Sequence, residues 1–203
     1  QAESELALRE TLNEPARLHL TRLNGAVRQA AKGVQQLLSL SRLDNDSSEI
    51  GMLAPLRLDK LARSVTLDWS PVARARNIDL GFEHEADVEV TGNRELLAEL
   101  CGNLIDNAVR YAGDGSIITV RVARVEEDPL LQVVDNGPGI APHERDAVFE
   151  RFYRSQTEQY VEGSGLGLAI VREIARVHHA QIKLGDAPGG GLVVSVRFAS
   201  NVP

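Results

Sequence analysis

The eight residues from Val133 to Ile140, VVDNGPGI, predict two local structures in immediate succession. The short apolar run that ends in Asp135 is typical of a buried strand. The Asn-Gly-Pro-Gly that follows is typical of an open, irregular loop. The segment therefore predicts a carboxylate at the end of a buried strand, with nearly bare backbone beyond it.

A second glycine-rich segment, GSGLGLAI, comes just before a helix that is predicted to begin near Leu166. Gly163, Gly165 and Gly167 alternate along it, and backbone amides at a helix start can cradle an anion when no side chains intervene. The two commonest phosphate motifs are not matched: G-x-x-x-x-G-K-[ST] is absent, and Leu168 occupies the last glycine position of G-x-G-x-x-G. The segment predicts a different kind of nucleotide site.

The stretch RELLAELCGNLIDNAVRYA, residues 94–112, predicts an amphipathic helix. Its apolar face consists of Leu97, Leu100, Leu104, Ala108 and Tyr111. Asn103, Asn107 and Arg110 lie on another face, together with Glu99 one turn earlier. An amide oxygen can bind Mg²⁺ and a guanidinium can neutralise phosphate. Taken alone, the helix supports ligand contact only about as well as an ordinary solvent-exposed face.

The first part of the chain predicts a helical hairpin. Apolar or small residues recur at alternating spacings of three and four, which is a heptad pattern: Leu20, Leu23, Val27, Ala30, Val34, Leu37 and Ser41. A helix-forming segment, ESELALRETL, and a cap at Asn13 to Pro15 come before this pattern. A second copy of the chain could cover the heptad face in a bundle; packing against the rest of the same chain is the alternative. The polar stretch DNDSSEIG is predicted to be a linker.

The remaining segments mix helices and strands without regular βαβ alternation, which favours an α+β fold with a helical layer on a largely antiparallel sheet. Leu61, Val65, Trp69 and Val72 recur at helical spacing, and Pro71 predicts a kink or break there. The net charge of −7 argues against a nucleic-acid partner. The single cysteine, Cys101, excludes an internal disulfide and a cysteine-based zinc site, and its neighbours predict an inert core thiol.

In order along the chain, NLIDNAVRY, VVDNGPGI, VFERFYR and GSGLGLAI resemble the N, G1, F and G2 boxes of the sensor histidine kinases of two-component signalling. The resemblance covers the whole chain and is specific because four boxes occur in the family's order. It implies a partial dimerisation hairpin over residues 1–44, a linker over 45–57 and an ATP-binding domain over 58–203. The implied fold of that domain is the α/β sandwich that histidine kinases share with chaperones and mismatch-repair ATPases.

The resemblance also implies roles for individual residues. Asp135 would accept a hydrogen bond from the exocyclic amine of adenine, beside the open backbone of Gly137, Gly139 and Ile140. Asn107 would bind Mg²⁺ with help from Asn103. Phe149 and Phe152 would anchor a movable lid over residues 141–162. The remaining nucleotide contacts would come from Arg110, Tyr111, Tyr153 and Arg154, and from the backbone of Gly163, Ser164, Gly165, Leu166, Gly167 and Leu168.

One departure from the family concerns the phosphoacceptor. None of the five histidines, His19, His84, His143, His178 and His179, lies in a segment like the acceptor box His-Glu-x-x-x-Pro. The expected function is transfer of the γ-phosphate of Mg-ATP to a histidine, with relay to a response regulator, by a chain that cannot phosphorylate itself. The expected setting is a homodimer joined by the hairpin, on the cytoplasmic side of a receptor anchored in the inner membrane, of which this chain is a fragment.

Two alternatives belong to the same superfamily. An ATP hydrolase would use a glutamate four residues before the magnesium asparagine to activate water, but Asn103 stands at that position and an amide is no general base. Hydrolysis is therefore expected to be poor. A pure interaction module is the other alternative, with the hairpin as the dimerising part and a nucleotide site that is only structural or regulatory. The intact phosphate glycines argue against a dead pocket.

Overall fold

The computed structural model describes residues 19–20, 23–25, 27, 31, 33–38, 40–41, 53–85, 87–154 and 164–200. Every described residue before position 42 is helical, which agrees with the second helix of the predicted hairpin. The predicted first helix, its cap at Asn13 to Pro15 and the linker at residues 44–51 lie outside the described residues. In the part of the chain that is described, no helix is both long and apolar enough to cross a bilayer.

A five-stranded mixed sheet forms one layer of the fold. The strands of the chain are β1 (Ala54–Arg57), β2 (Asp79–His84), β3 (Glu89–Gly92), β4 (Ile117–Val125), β5 (Asp128–Asp135), β6 (Gln181–Asp186) and β7 (Leu192–Arg197). The sheet has the order β2-β4-β5-β7-β6, and all its pairs are antiparallel except β2 with β4. Strands β1 and β3 form a separate antiparallel pair. The predicted α+β class is confirmed.

Three helices form the second layer: α1 (Leu58–Ala75), α2 (Arg94–Tyr111) and α3 (Gly167–Val177). Helix α2 packs against both α1 and α3. The core between the layers contains Leu61, Leu100, Leu104, Ile105, Ile118, Leu131, Ile170, Ile174 and Val196, all almost fully buried. Complete burial of such a side chain stabilises the fold by roughly 1.5–3 kcal/mol. The core therefore fixes α2 and α3, which carry the glycine and amide segments.

Cys101 belongs to this core. Burial raises the pKa of its thiol to about 12, so the side chain stays protonated. The prediction of an inert core thiol is consistent with that environment.

Helix α1 corrects one expectation, because it runs without a break through Pro71. Proline lacks an N–H and cannot donate to the carbonyl four residues earlier, at Leu67. Leu67 is 60% exposed, so solvent is available to that carbonyl. Buried residues lie on both sides of the proline, with Leu61 and Ala62 before it and Ala73 after it, so both halves of the helix pack on the core.

His178 joins the end of α3 to the start of α2. Its Nδ1 lies 2.7 Å from the carbonyl of Ile174, and its Nε2 accepts a hydrogen bond from the backbone N–H of Asn93 at 3.0 Å. Because a carbonyl can only accept, Nδ1 carries the proton and the imidazole is neutral. Burial lowers the pKa of His178, which agrees with the neutral form. Asn93 in turn caps α2, since its side chain accepts from the amides of Glu95 and Leu96.

We call the second helix of the predicted hairpin the hairpin helix. Its part at residues 33–38 and 40–41 packs on the domain with one face only. Leu40 is 1% exposed and belongs to the main core, and Gln36 is 7% exposed. The heptad residues on the other face are exposed: Leu23, Val27, Val34 and Leu37. The described part of the chain therefore does not cover the heptad face.

Candidate functional site

Asp135 lies at the carboxyl end of the central strand β5 and is 8% exposed. Its Oδ1 accepts a hydrogen bond from the backbone N–H of Gly137 at 2.8 Å. Burial raises the pKa of this carboxyl above its ordinary value, while backbone hydrogen bonds from Gly137 and Leu192 oppose the shift. The carboxylate is therefore a partly desolvated hydrogen-bond acceptor at the end of the central strand. Such an acceptor suits recognition of an amine.

Glycine is required where the loop after Asp135 meets α2 and the turn before β7. A Cβ on Gly137 would lie 2.6 Å from the Cα of Ala112 and 2.9 Å from Asp135 Oδ1. Gly139 has a φ of +73°, and a Cβ there would lie 3.1 Å from the carbonyl oxygen of Gly191. Ile140, which closes the segment, is half-buried. The loop is therefore held against α2 by close backbone contact, with little side-chain bulk.

Gly191 is a part of this region that sequence reasoning missed. It has a φ of +109°, and a Cβ there would overlap the carbonyl oxygen of Asp135 and lie 2.7 Å from the Cα of Asn136. The turn before β7 therefore packs directly on the acidic end of β5. The run of three glycines at 189–191 is visible in the sequence, but such a run indicates only a turn.

The two asparagines of α2 meet the start of α3. A Cβ on Gly167 would lie 3.1 Å from Asn107 Oδ1 and 3.6 Å from Asn103 Oδ1. Asn103 is 8% exposed and Asn107 is half-buried, so the alternative of a solvent-exposed polar face does not describe Asn103. Asn103 Nδ2 donates to the carbonyl of Glu99 at 2.9 Å, which directs Oδ1 away from its own helix turn. Two amide oxygens therefore flank the amino end of α3.

The charged end of α2 contains a residue that sequence analysis did not single out. Asp106 is 9% exposed and lies 2.9 Å from Nε of Arg110, one helical turn later. The ion pair limits the directions that the guanidinium can take. Arg110 and Tyr111 are both half-buried at the end of α2. Asp106 therefore acts as a positioning residue for Arg110.

The loop before α3 is held by backbone contacts. Gly165 has a φ of +69°, and its carbonyl accepts a hydrogen bond from the N–H of Phe152 at 2.9 Å. A Cβ on Gly165 would lie 2.8 Å from the backbone of Phe152. Leu166 is 1% exposed and Leu168 packs against the core, so only their backbone can meet a ligand. Gly163 lies outside the described residues.

The amino end of α3 is suited to an anion. The helix begins at Gly167, and its N-cap residue, Leu166, provides no side-chain cap. The first amides of a helix lack partners within it and, with the helix dipole, attract negative charge. Gly165 and Gly167, which carry no side chain, thus leave backbone donors accessible beside the amide oxygens of α2.

The segment around Phe152 differs partly from expectation. Phe149 is half-buried, but Phe152 is 62% exposed with a φ of +65°, so Phe152 is fixed by its backbone rather than anchored by its ring. The hydroxyl of Tyr153 donates to Glu144 Oε1 at 2.9 Å, within the predicted lid. Arg154 is exposed. Tyr153 is therefore held in the described state by a contact inside its own segment.

The helix before the domain adds a contact that the sequence did not suggest. Gln36 Nε2 donates to Asn103 Oδ1 at 3.2 Å, and the hydroxyl of Ser164 donates to Gln36 Oε1 at 2.7 Å. Ser164 Oγ also accepts from the backbone N–H of Leu166 at 3.3 Å. A residue 67 positions earlier in the chain thus touches one of the two asparagines.

The donor set is compatible with a magnesium ion that is bound mainly by its nucleotide. Among the residues that the structure describes, no three His, Cys, Asp or Glu side chains group closely enough to hold a metal. Asn103 and Asn107 supply hard amide oxygens. Mg²⁺ usually takes few protein ligands and completes its octahedron with water and phosphate oxygens. These residues therefore fit Mg²⁺ only together with phosphate.

Comparison with known proteins gives consistent similarities. Residues 92–201 match the model of the family described as histidine kinase-, DNA gyrase B- and HSP90-like ATPases. The chain is 41% identical over 181 residues to the sensor protein QseC of Salmonella typhi, covering 88% of this chain and 39% of that protein. It is 35% identical over 201 residues to the sensor protein kinase PmrB of Pseudomonas aeruginosa, covering 98% of this chain and 42% of that protein.

A solved structure is similar as well. The cytoplasmic segment of histidine kinase QseC superposes with a TM-score of 0.58 and 31% identity, covering 86% of this chain and 95% of that one. The chain spans about two fifths of the length of the curated relatives described above.

Proposed function

Because the chain belongs to the family of histidine kinase-, DNA gyrase B- and HSP90-like ATPases, we propose that it transfers the γ-phosphate of Mg-ATP to a histidine. It carries the ATP-binding catalytic domain of a sensor histidine kinase. The observation that supports this most is that three features of the proposed site, a buried acceptor, two amide oxygens and a helix amino end, lie next to α2. A buried acceptor, Asp135, lies beside its last turns, and the amide oxygens of Asn103 and Asn107 meet the amino end of α3.

Asp135 selects the base. Its carboxylate accepts from the exocyclic amine of adenine, whereas guanine offers a carbonyl at that place and would leave two acceptors facing each other. Gly137, Gly139 and Ile140 leave room for the ring because the loop carries little side-chain bulk. Asp135 is partly desolvated, so an unpaired partner there costs binding free energy.

The phosphates extend from the base toward α3. The backbone of residues 163–168 donates hydrogen bonds to them, and Arg110, held by Asp106, adds positive charge. Tyr111, Tyr153 and Arg154 complete the nucleotide contacts. Asn107 and Asn103 would hold Mg²⁺, which would supply positive charge against the phosphate oxygens. Catalysis by this chain is positioning and charge neutralisation, as phosphoryl transfer requires.

The acceptor histidine lies outside these 203 residues. The imidazole attacks the γ-phosphorus, a nitrogen–phosphorus bond forms, and the bond to the bridging oxygen breaks to release ADP. His178 cannot serve, since both ring nitrogens are engaged in hydrogen bonds inside the fold. The other four histidines do not match the acceptor box. We therefore assign the chain a kinase role in trans, followed by relay to the aspartate of a response regulator.

The proposed setting follows the same family. Residues 1–44 are part of the dimerisation hairpin and 58–203 are the ATP-binding domain. Residues 45–57 are the linker, and its last residues form strand β1, which pairs with β3 of the domain. The exposed heptad residues Leu23, Val27, Val34 and Leu37 support a homodimer. The complete protein is anchored in the inner membrane, with this portion on the cytoplasmic side.

Calorimetric titration with Mg-ATP and Mg-GTP tests the binding step. We expect the unmodified chain to bind Mg-ATP more tightly than Mg-GTP. Asp135→Ala should lose about 1–3 kcal/mol of ATP binding free energy because the adenine amine is left unpaired. Asp68→Ala, at an exposed position of α1, is the matched control and should bind ATP like the unmodified chain. Equal affinities for ATP and GTP would refute the assignment of Asp135.

A further inference from the structure

Gln36 links the helix before the domain to both halves of the proposed phosphate site. Its side-chain amide donates to Asn103 Oδ1 at 3.2 Å and accepts from the hydroxyl of Ser164 at 2.7 Å. Asn103 belongs to α2, and Ser164 belongs to the loop before α3. Gln36 is 7% exposed, so these hydrogen bonds are largely shielded from water and are costly to leave unmade.

The contact is part of a packed interface. Leu40, one helical turn after Gln36, is 1% exposed and joins the main core. Beside Gln36, a cleft of about 250 Å³ lies between this helix, α1 and α2, and Trp69, Gly102 and Asp106 form part of its wall. The helix is therefore held at two points, an apolar one at Leu40 and a polar one at Gln36.

The hydrogen bond from Gln36 to Asn103 competes with the proposed magnesium ion. Asn103 Nδ2 is bound to the carbonyl of Glu99, so the amide cannot turn to offer a different atom. Its Oδ1 accepts the partly positive N–H of Gln36, the same oxygen that would help to hold Mg²⁺. A cation beside that N–H is unfavourable because both carry positive charge. The loop hydroxyl of Ser164 is likewise occupied by Gln36 in place of phosphate.

We propose that Gln36 is an autoinhibitory latch, which holds the hairpin helix against the ATP site until Mg-ATP displaces it from Asn103 and Ser164. Nucleotide binding and release of the helix are then reciprocally coupled. The affinity that is measured for Mg-ATP includes the free energy of breaking the latch. This inference rests on the proposed binding of Mg-ATP at Asn103 and Asn107.

The first test is titration of the 203-residue chain with Mg-ATP. Gln36→Ala should bind Mg-ATP about three- to tenfold more tightly, because two neutral hydrogen bonds no longer oppose the ligand. With ATP and a chelator in place of magnesium, the gain should be smaller. Gln35→Ala changes the same residue type at the preceding position, which is exposed, and should leave the affinity unchanged. Unchanged or weaker binding by Gln36→Ala would overturn the latch.

Hydrogen exchange supplies a readout that does not depend on ATP. Without nucleotide, the amides of residues 33–38 and 40–41 should exchange faster in Gln36→Ala than in the unmodified chain or in Gln35→Ala. Equal exchange in all three chains would overturn the latch even if ATP binds. If exchange were faster in Gln36→Ala but no chain bound ATP, the contact of Gln36 with the domain would be supported. The proposed function, and with it the coupling of this contact to ATP, would be refuted.

Discussion

At the scale of single residues, the candidate site lies where a side chain would not fit. A Cβ on Gly137 would meet the backbone of Ala112, and one on Gly167 would meet Asn107. Both glycines let two elements approach each other closely, and in both cases the neighbouring element carries or adjoins a proposed ligand contact. At Gly167 the neighbouring atoms belong to side-chain amides, so substitution there can change binding without damaging the core.

Gly167→Ala should separate binding from stability. The new Cβ would lie 3.1 Å from Asn107 Oδ1 and displace the amide, which we expect to weaken Mg-ATP binding by about 1–3 kcal/mol. The unfolding free energy should change by less than about 1 kcal/mol, because the gain in helix propensity over glycine offsets the cost of the close contact with the amide. Calorimetry and thermal unfolding measure the two effects.

Gly185→Ala is the matched control, since a Cβ there meets nothing within 4 Å. It should leave Mg-ATP affinity unchanged. If Gly167→Ala bound Mg-ATP as tightly as Gly185→Ala, the assignment of Asn107 to the metal would be wrong.

At the scale of elements, α2 and α3 must keep a fixed relation because each supplies one side of the proposed phosphate site. His178 provides one link, since its Nε2 accepts from the backbone N–H of Asn93 where α2 begins. The link requires a neutral ring. Protonation of Nε2 would turn the acceptor into a donor that faces another donor.

The unfolding free energy should therefore depend on pH through His178. Burial lowers its pKa in the folded state below the ordinary value of about 6.5, so the unfolded chain binds more protons in the window between the two values. The stabilisation is fully present above about pH 6.5 and is lost as the pH falls through the folded pKa. Urea unfolding between pH 5 and pH 8, at intervals of roughly half a unit, measures this slope.

The neighbouring histidine is the control. His179 is exposed and its charge is the smallest of the three causes of the pKa shift of His178, so His179→Gln should keep most of the pH dependence of the unmodified chain, whereas His178→Gln should flatten it. Parallel curves for His178→Gln and the unmodified chain would assign the acid sensitivity to other groups.

The helix α2 shows how much local sequence can predict. Its periodicity predicted residues 94–112, and the observed helix is Arg94–Tyr111 with Asn93 as a capping residue. Asp135 at the end of a strand was also predicted correctly, because strand alternation and turn composition are local signals. The break at Pro71 was wrong, since packing of the apolar side of α1 outweighs one missing hydrogen bond.

At the scale of the whole molecule, the contacts that sequence reasoning missed join distant segments. Gln36 and Asn103 are 67 positions apart, and Gly191 packs on the backbone of Asp135. No periodicity or turn pattern encodes either contact, because each depends on where complete elements lie. Likewise, the polar face of α2 could not be distinguished from a solvated face until α3 and the hairpin helix were in place.

The two faces of the hairpin helix differ in their surroundings. Gln36 and Leu40 contact the domain, while the heptad residues Leu23, Val27, Val34 and Leu37 are exposed. Leu23→Glu should lower the dimer fraction, because a charge at a packed heptad position must be desolvated or excluded. Sedimentation equilibrium measures this effect, and Mg-ATP affinity should not change.

Leu67→Glu is a closely matched control. Leu67 on α1 is 60% exposed, against 62% for Leu23, but it lies outside the heptad pattern. The dimer fraction of Leu67→Glu should equal that of the unmodified chain. The proposed homodimer would be refuted if the unmodified chain were strictly monomeric at high concentration. It would also be refuted if Leu23→Glu and Leu67→Glu lowered the dimer fraction equally.

The central claim is that this chain delivers the γ-phosphate of ATP to a histidine that it does not itself contain. The direct measurement uses γ-labelled ATP with the 203-residue chain, alone and mixed with a longer polypeptide that carries the acceptor box and Asn107→Ala. Acid and base treatment then identifies phosphohistidine. The account predicts base-stable, acid-labile label on the longer polypeptide and none on the short chain. Phosphohistidine on the short chain alone, or an unlabelled partner in a mixture that binds ATP, would contradict it.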